Sequence, residues 1–159
     1  MFKIGLGFDA HKFSTDRKLV LGGVEIPFEY GLTGHSDADV LSHAICDALL
    51  GALGEGDIGS HFPDSDPKYK GVSSLVFIEE AMKLLRASGY EAQNIDSVIV
   101  CEKPKIAPHI PEIKARLSQA TGLPAGALGV KATTTDTMGF TGRGEGIAAY
   151  AVAMVKSQP

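Results

Sequence analysis

Apolar residues recur every four positions at Leu41, Ile45, Leu49 and Leu53, with Gly54 directly beyond, which predicts a helix over residues 37–53. Ser36 followed by Asp39 supplies an N-terminal capping pattern for it. A second stripe, Leu75, Ile78, Met82 and Leu85, stops at Gly89 and predicts an amphipathic helix over 74–88. A third helix, over 111–121, opens on Pro111 and closes at Gly122. Strand-like runs cover 1–9, 19–27 (broken by Gly22 and Gly23), 95–101, 129–134 and 146–155. The first two read as an opening hairpin with a polar connection over 14–18.

The order ββααβαββ mixes strands and helices without strict alternation. It predicts an α+β fold with helices on one face of a mixed sheet, rather than a doubly wound parallel sheet. Residues 54–71 fit neither period. They are rich in Gly, Pro, Asp and Ser, and a loop of that length calls for a functional explanation, so they are a candidate active-site lid.

Composition narrows the classes of function. The chain has 159 residues, 44% of them hydrophobic, enough for one domain spanning 1–159 with its own core. The net charge is −4, only 21% of residues are charged, and no basic run exists, which argues against nucleic acid as a partner. An acidic protein that binds a polyanion must hold it with metal ions and with locally placed Lys, Arg and backbone amides. Cys46 and Cys101 lack any C-x-x-C partner, so reduced thiols of a cytosolic protein are expected rather than a disulfide or a cysteine zinc site. No apolar run approaches the ~18 residues that would suggest a membrane span, and residues 1–8 enter a strand without a charged leader, so a cytoplasmic protein with no membrane partner is expected.

Candidate chemistry collects in several places. Asp9 and His11 stand two apart at the end of a predicted strand, where alternation points both side chains to one face. Asp39, His43 and Asp47, spaced by four, draw a polar stripe on an otherwise apolar helix. Two imidazoles and a carboxylate suit zinc with a fourth position open to substrate, although a lone helical histidine is more often a structural residue. His35-Ser36-Asp37 lies at the predicted helix start, where free amides and the dipole favour phosphate, or where Ser36 simply caps the helix. The acidic loop, with Gly56-Asp57-Ile58-Gly59 and Phe62-Pro63-Asp64-Ser65-Asp66-Pro67, suits sugar hydroxyls or plain turn formation. Lys131 to Asp136 ends a strand in three threonines and a carboxylate, a set suited to Mg²⁺ or Mn²⁺ on a diphosphate, or to sheet propensity alone. Arg143 follows among four glycines.

Six segments in fixed order, Gly-Phe-Asp-Ala-His, His-Ser-Asp-Ala-Asp, Gly-Asp-Ile-Gly, Phe-Pro-Asp-Ser-Asp-Pro, Lys-Ala-Thr-Thr-Thr and Gly-Phe-Thr-Gly-Arg-Gly-Glu-Gly, resemble the 2-C-methyl-D-erythritol 2,4-cyclodiphosphate synthase family along almost the whole chain. The resemblance implies a homotrimer with active sites at subunit interfaces, each subunit a mixed four-stranded sheet covered by helices on one face. It implies conversion of a cytidine diphosphate substrate, 4-diphosphocytidyl-2-C-methyl-D-erythritol 2-phosphate, into the cyclic diphosphate and CMP within the non-mevalonate isoprenoid pathway. Asp9, His11 and His43 become the Zn²⁺ ligands, Asp136 the ligand of Mg²⁺ or Mn²⁺, and His35 and Thr134 the catalytic, transition-state-stabilising pair.

The same resemblance sets the erythritol against Asp57, Ile58 and Gly59 and against Phe62, Pro63, Asp64, Ser65 and Asp66, with Ser36 beside them. Cytidine would lie near Cys101 to Ala107, with Lys103, Pro104, Lys105 and Ile106, and near Thr133 to Asp136, with Thr135, of a neighbouring subunit. Phe140 and Arg143 complete the substrate-binding set. The resemblance also has the glycine-rich Arg143 and Glu145 region line a cavity on the threefold axis, a place for an isoprenoid diphosphate. Two positions depart from the family's habit: Asp136 stands where Glu is common, and Glu102-Lys103 precedes Pro104 where smaller or neutral residues are frequent.

Overall fold

The computed structural model describes residues 1–159. In chain order the elements are β1 (Phe2–Ser14), β2 (Leu19–Leu21), β3 (Val24–Ile26), β4 (Gly31–Leu32), α1 (Val40–Leu53), α2 (Ile58–His61), α3 (Leu75–Ala87), β5 (Tyr90–Val100), α4 (Ile110–Thr121), β6 (Leu128–Thr133), α5 (Gly139–Gly142) and β7 (Gly146–Ser157). The main sheet runs β4-β1-β7-β5-β6, and only the β5–β6 pair is parallel. The architecture is therefore α+β with a mixed sheet.

Several expectations need correction. The sheet has five strands, not four, because Gly31 and Leu32 pair with Ser14 and Phe13 at the far end of β1. A two-residue strand carries no alternation, so no periodic signal announces it. The expected opening hairpin is also absent: β1 pairs with β7, from Phe2 opposite Lys156 to Lys12 opposite Gly146, and β2 pairs with β3 instead. Gly22 and Gly23, at φ 57° and 75°, form the β2–β3 turn, where positive φ at both central residues is what a tight hairpin needs. Strand β1 also runs on to Ser14, so Asp9 and His11 lie within it rather than at its end.

Alternation along β1 sets the layers. Phe2, Ile4, Leu6 and Phe8 point to the uncovered face and are exposed, joined there by Tyr150 and Val152 of β7. Gly5, Gly7, Asp9 and His11 face α1 on the other side. A Cβ on Gly5 would meet the Ala48 carbonyl oxygen at 1.9 Å, and one on Gly7 the Ala44 oxygen at the same distance. The two glycines thus let α1 lie directly on the strand. Helix α1, buried at ten of its 14 residues, is covered in turn by α3, and no helix is long and apolar enough to cross a membrane.

Helix α1 begins at Val40, three residues later than predicted, because its N-cap is Asp39 rather than Ser36. Helix α3 and helix α4 match their predicted spans to within a residue, with Gly89 and Gly122 at φ 78° and 76° just beyond their ends. The 54–71 segment is not a bare loop. It contains α2 and a 3-10 turn at Pro67–Tyr69, and it is anchored by Phe62, Tyr69 and Phe77, with Phe62 stacked on Phe77 at 4.7 Å between ring centroids.

Candidate metal centre and adjoining cavity

The polar stripe of α1 resolves into three separate tasks. Asp39 is fully buried and takes the amides of Gly22, Gly23 and Ser42 together with the Ser42 hydroxyl. That occupies the helix N-terminus with a protein carboxyl, so the expected phosphate seat at His35-Ser36-Asp37 is not a helix start. Burial, and then the neighbouring Asp37, push the Asp39 carboxyl above its usual range. One turn later His43 projects towards β1, and a further turn on Asp47 accepts the Ile58 amide at 2.7 Å.

Asp9, His11 and His43 form the one cluster of His, Cys, Asp or Glu groups that could hold a metal ion. The Asp9 Oδ2 lies 2.8 Å from His11 Nε2 and 3.0 Å from His43 Nδ1, and the two nitrogens are 3.2 Å apart. Three ligand atoms about 2.0 Å from a tetrahedral zinc would be ~3.3 Å apart, so this donor set needs little adjustment to accept one. The protonation pattern fits as well. His11 Nδ1 lies 2.6 Å from the Thr33 carbonyl oxygen, which can only accept, so that nitrogen carries a proton, and the Nε2 lone pair is free for a metal once the proton it shares with Asp9 in the metal-free protein has left. The other Asp9 oxygen is occupied by the Ala10 amide at 2.8 Å.

Electrostatics tie these groups together. Burial alone would raise the Asp9 carboxyl, but its hydrogen bonds to His11 and His43 outweigh that and hold it well below the carboxylate range. Burial likewise opposes charge on His11, and the Asp9 bond reverses the sign, lifting the imidazole above its ordinary value. Neither thiol takes part: Cys46 and Cys101 are free and buried, and burial pushes Cys101 up to about 11.

A cavity of about 320 Å³ opens on the cluster. Of the residues singled out from sequence, Asp9, His11, His35, Ser36, His43, Ile58, Gly59, Phe62, Pro63 and Asp64 line it. Gly34, Tyr69 and Phe77 also line it and had not been anticipated. Aromatic residues inside or next to an otherwise polar loop were the available signal for two of them. His35 is held by its Nε2, 3.1 Å from the Asp66 carbonyl oxygen, while Arg17 donates to the carbonyls of Leu32, Gly34 and Ser36 and pins the segment that carries His35. Asp57 and Asp66 are not in the wall. They cap α2 and the following 3-10 turn through Ser60 and Lys68. Ser65 also lies outside it.

The remaining candidates lie outside this cavity, with Cys101–Ala107 following β5, Thr133–Asp136 at the end of β6 and Phe140–Glu145 preceding β7. The Cys101 amide donates to the Thr133 oxygen at 3.0 Å, and Glu102 Oε1 accepts the amides of Thr135 and Thr137 at 3.2 and 3.1 Å. Glu102, noted above only as a departure, thus joins residues 101–107 to 133–137. Asp136 and Thr137 sit at φ 51° and 68°, a strained turn held by that carboxylate. Thr134 and Asp136 touch each other, Oγ1 to Oδ1 at 3.4 Å, but are not in the cavity wall. Strands β7 and β5 separate β1 from β6, which is about 14 Å of sheet width. Phe140, Arg143 and Glu145 lie outside the cavity too, with Arg143 Nε donating to Glu145 at 2.7 Å.

Comparison with known proteins agrees with this geometry. The sequence profile of the YgbB family matches residues 2–156. The 2-C-methyl-D-erythritol 2,4-cyclodiphosphate synthase of Syntrophotalea carbinolica is 54% identical over 155 residues, covering 98% of this chain and 94% of its own. Among solved structures, the bifunctional IspDF of Campylobacter jejuni superposes with a TM-score of 0.95 at 39% identity over 99% of this chain, which spans only 42% of that longer protein. A CDP complex of Plasmodium falciparum IspF gives a TM-score of 0.87 at 30% identity, covering 99% of this chain and 97% of that one.

Proposed function

The chain belongs to the YgbB family, and from that premise we propose that residues 1–159 act as one catalytic domain, converting 4-diphosphocytidyl-2-C-methyl-D-erythritol 2-phosphate into 2-C-methyl-D-erythritol 2,4-cyclodiphosphate and CMP in the non-mevalonate isoprenoid pathway. The substrate's own 2-phosphate forms the new bond to the β-phosphorus, and the bond from that phosphorus to CMP breaks. The enzyme is a phosphorus-oxygen lyase and needs no nucleophile of its own. The observation that carries this reading is the Asp9, His11 and His43 cluster at the floor of the cavity, with a histidine tautomer already set for metal.

Zn²⁺ held by these three residues would supply Lewis-acid charge at the diphosphate. The chain's own groups do the rest. His35 lines the cavity with its Nε2 held at the Asp66 carbonyl oxygen, and in its doubly protonated form it offers the Nδ1 proton to developing phosphate charge. Ile58, Gly59, Phe62, Pro63 and Asp64 form the wall for the erythritol and exclude water, and Ser36 lies between His35 and His43. Holding both ends of a flexible molecule supplies much of the rate advantage of an intramolecular attack.

Thr134 and Asp136 serve this chemistry from a neighbouring copy, because neither lines the cavity of its own chain. Cytidine lies against the Cys101–Ala107 and Thr133–Asp136 segments of that copy, where Asp136 would hold Mg²⁺ or Mn²⁺ and so supply positive charge for the diphosphate. The exposed row of Phe2, Ile4, Leu6, Phe8, Tyr150 and Val152 supports a homotrimer, since so continuous an apolar face is unusual on a monomer. Arg143 and Glu145 then line its axis, where an isoprenoid diphosphate would find the guanidinium. The enzyme works in the cytoplasm.

Following the phosphorus resonances of the cytidylyl substrate on incubation with the protein tests the reaction. The cyclic diphosphate and CMP are expected. Linear hydrolysis products would instead identify a water-activating phosphohydrolase, and no turnover a binding protein.

A further inference from the structure

Ser74 is the N-cap residue of α3, a position where a serine hydroxyl normally accepts an amide of the first turn. Here it makes no such bond, although it is fully buried. Its Oγ lies 2.8 Å from His43 Nε2, 3.1 Å from Ser36 Oγ and 2.5 Å from Asp37 Oδ1. A local rule broken at a buried site, with no polar atom left unpaired, marks a residue recruited for another purpose.

Counting protons gives the network one direction. The Asp37 carboxylate can only accept, so the Ser74 hydroxyl donates to it. Asp37 is set for this by the Ser74 and Asp39 amides, each at 3.2 Å. The two remaining acceptor sites of Ser74 Oγ then take the Ser36 hydroxyl and the His43 Nε2 proton, while Ser36 Oγ accepts the Ala38 amide at 3.2 Å. A proton on Nε2 leaves a lone pair on Nδ1, and Nδ1 is the atom that faces Asp9 and His11.

We infer that Asp37 and Ser74 are positioning residues that hold His43 as its Nε2–H tautomer and aim the Nδ1 lone pair at the metal position. The inference rests on reading Asp9, His11 and His43 as a metal site. Thr33 does the same for His11 through a backbone carbonyl, which no side-chain substitution can remove. His43 relies on a hydroxyl and a carboxylate that can be removed one at a time. Outer partners of this kind are worth about 10- to 100-fold in metal affinity. Ser36 Oγ, also 3.1 Å from Nε2, can take over only part of the task, because it already accepts the Ala38 amide and, unlike Ser74, has no carboxylate to fix its direction.

The test is zinc affinity, by competition with a chromophoric chelator, for the wild-type protein, Ser74→Ala and Asp37→Asn. Long-range proton–nitrogen spectra of the zinc-loaded histidines and the absorption bands of the cobalt-loaded proteins accompany it. Ser74→Ala should bind zinc about 10- to 100-fold more weakly, with its His43 Nε2–H resonance displaced and exchanging faster and its cobalt bands shifted. Asp37→Asn, which sets an amide NH₂ against the Ser74 N–H donor, should move the same readouts. A folded Ser74→Ala protein with wild-type affinity and an unmoved His43 signal overturns the inference alone. If that variant does not fold, Asp37→Asn with unchanged affinity does so. A wild-type protein that takes up no zinc overturns the metal reading, and this inference with it.

Discussion

Asp47 Oδ1 accepts the Ile58 amide at 2.7 Å, so the face of α1 that presents His43 to the metal cluster also holds the first residue of the segment roofing the cavity. The bond joins the two halves of the site without touching either ligand or substrate. Replacing Asp47 by Ala frees the start of α2. KM for the cytidylyl substrate should rise about fivefold, the equivalent of roughly 1 kcal/mol for one lost hydrogen bond, while bound zinc stays constant. Elemental analysis beside steady-state kinetics checks this, and loss of zinc would show that Asp47 supports the cluster rather than the roof.

Asp39 carries the other end of the same helix. Its buried carboxyl serves two amides of the β2–β3 turn and one of α1, so Asp39→Ala removes the cap and orphans the turn together. The expected loss is about 3 kcal/mol in urea unfolding, the sum of a cap and stranded donors. Asp39→Asn, which can accept only part of this set, should fall in between.

The contact of Gly7 with the Ala44 carbonyl leaves no room for a methyl group, and Ala44 directly follows His43. Gly7→Ala should therefore cost about 3 kcal/mol or more, as overpacked sites do, and should lower zinc content in the protein that still folds. Full zinc occupancy with wild-type stability would mean that α1 moves away from β1 without displacing His43.

Glu102 holds the 133–137 turn through two amides while Asp136 adopts a positive φ. Glu102→Ala should leave zinc binding and folding intact, and raise the Mg²⁺ or Mn²⁺ concentration needed for half-maximal activity by about tenfold, roughly the strength of charge-assisted bonds lost. Asp136→Glu should retain activity with an altered preference between the two cations. Superimposable metal titrations for wild type and both variants would remove Asp136 from the second metal.

Acid and alkali act on the metal-free cluster in opposite senses. Asp9 is depressed, so its contribution to stability is present above the usual carboxylate range and is lost as pH falls through its lowered value. His11 is raised, so its contribution is complete below about pH 6.5 and is lost as pH climbs through the raised value. Urea midpoints of metal-free protein should decline on that alkaline side, whereas apparent zinc affinity should increase there as the His11 proton ceases to compete. A metal-free protein that gains stability over the same interval would contradict the Asp9–His11 pairing.

The sequence by itself determined what depends on near neighbours. The stops at Gly54, Gly89 and Gly122 bound three helices, because a left-handed residue ends a helix whatever surrounds it. Asp9 and His11 share a face because alternation is a property of the strand alone, and the four-residue spacing of Asp39, His43 and Asp47 already showed a stripe in need of partners. Tertiary structure decided who those partners are. That β1 pairs with a strand at the other end of the chain, that a two-residue strand extends the sheet, and that Asp39 rather than Ser36 caps α1 all depend on segments far apart in sequence meeting. Ser74 is the sharpest case: locally it reads as a helix cap, and only the arrival of His43 and Asp37 beside its hydroxyl turns it to another use. A hydroxyl bonds whichever group packing brings within reach, and packing is settled by the whole chain.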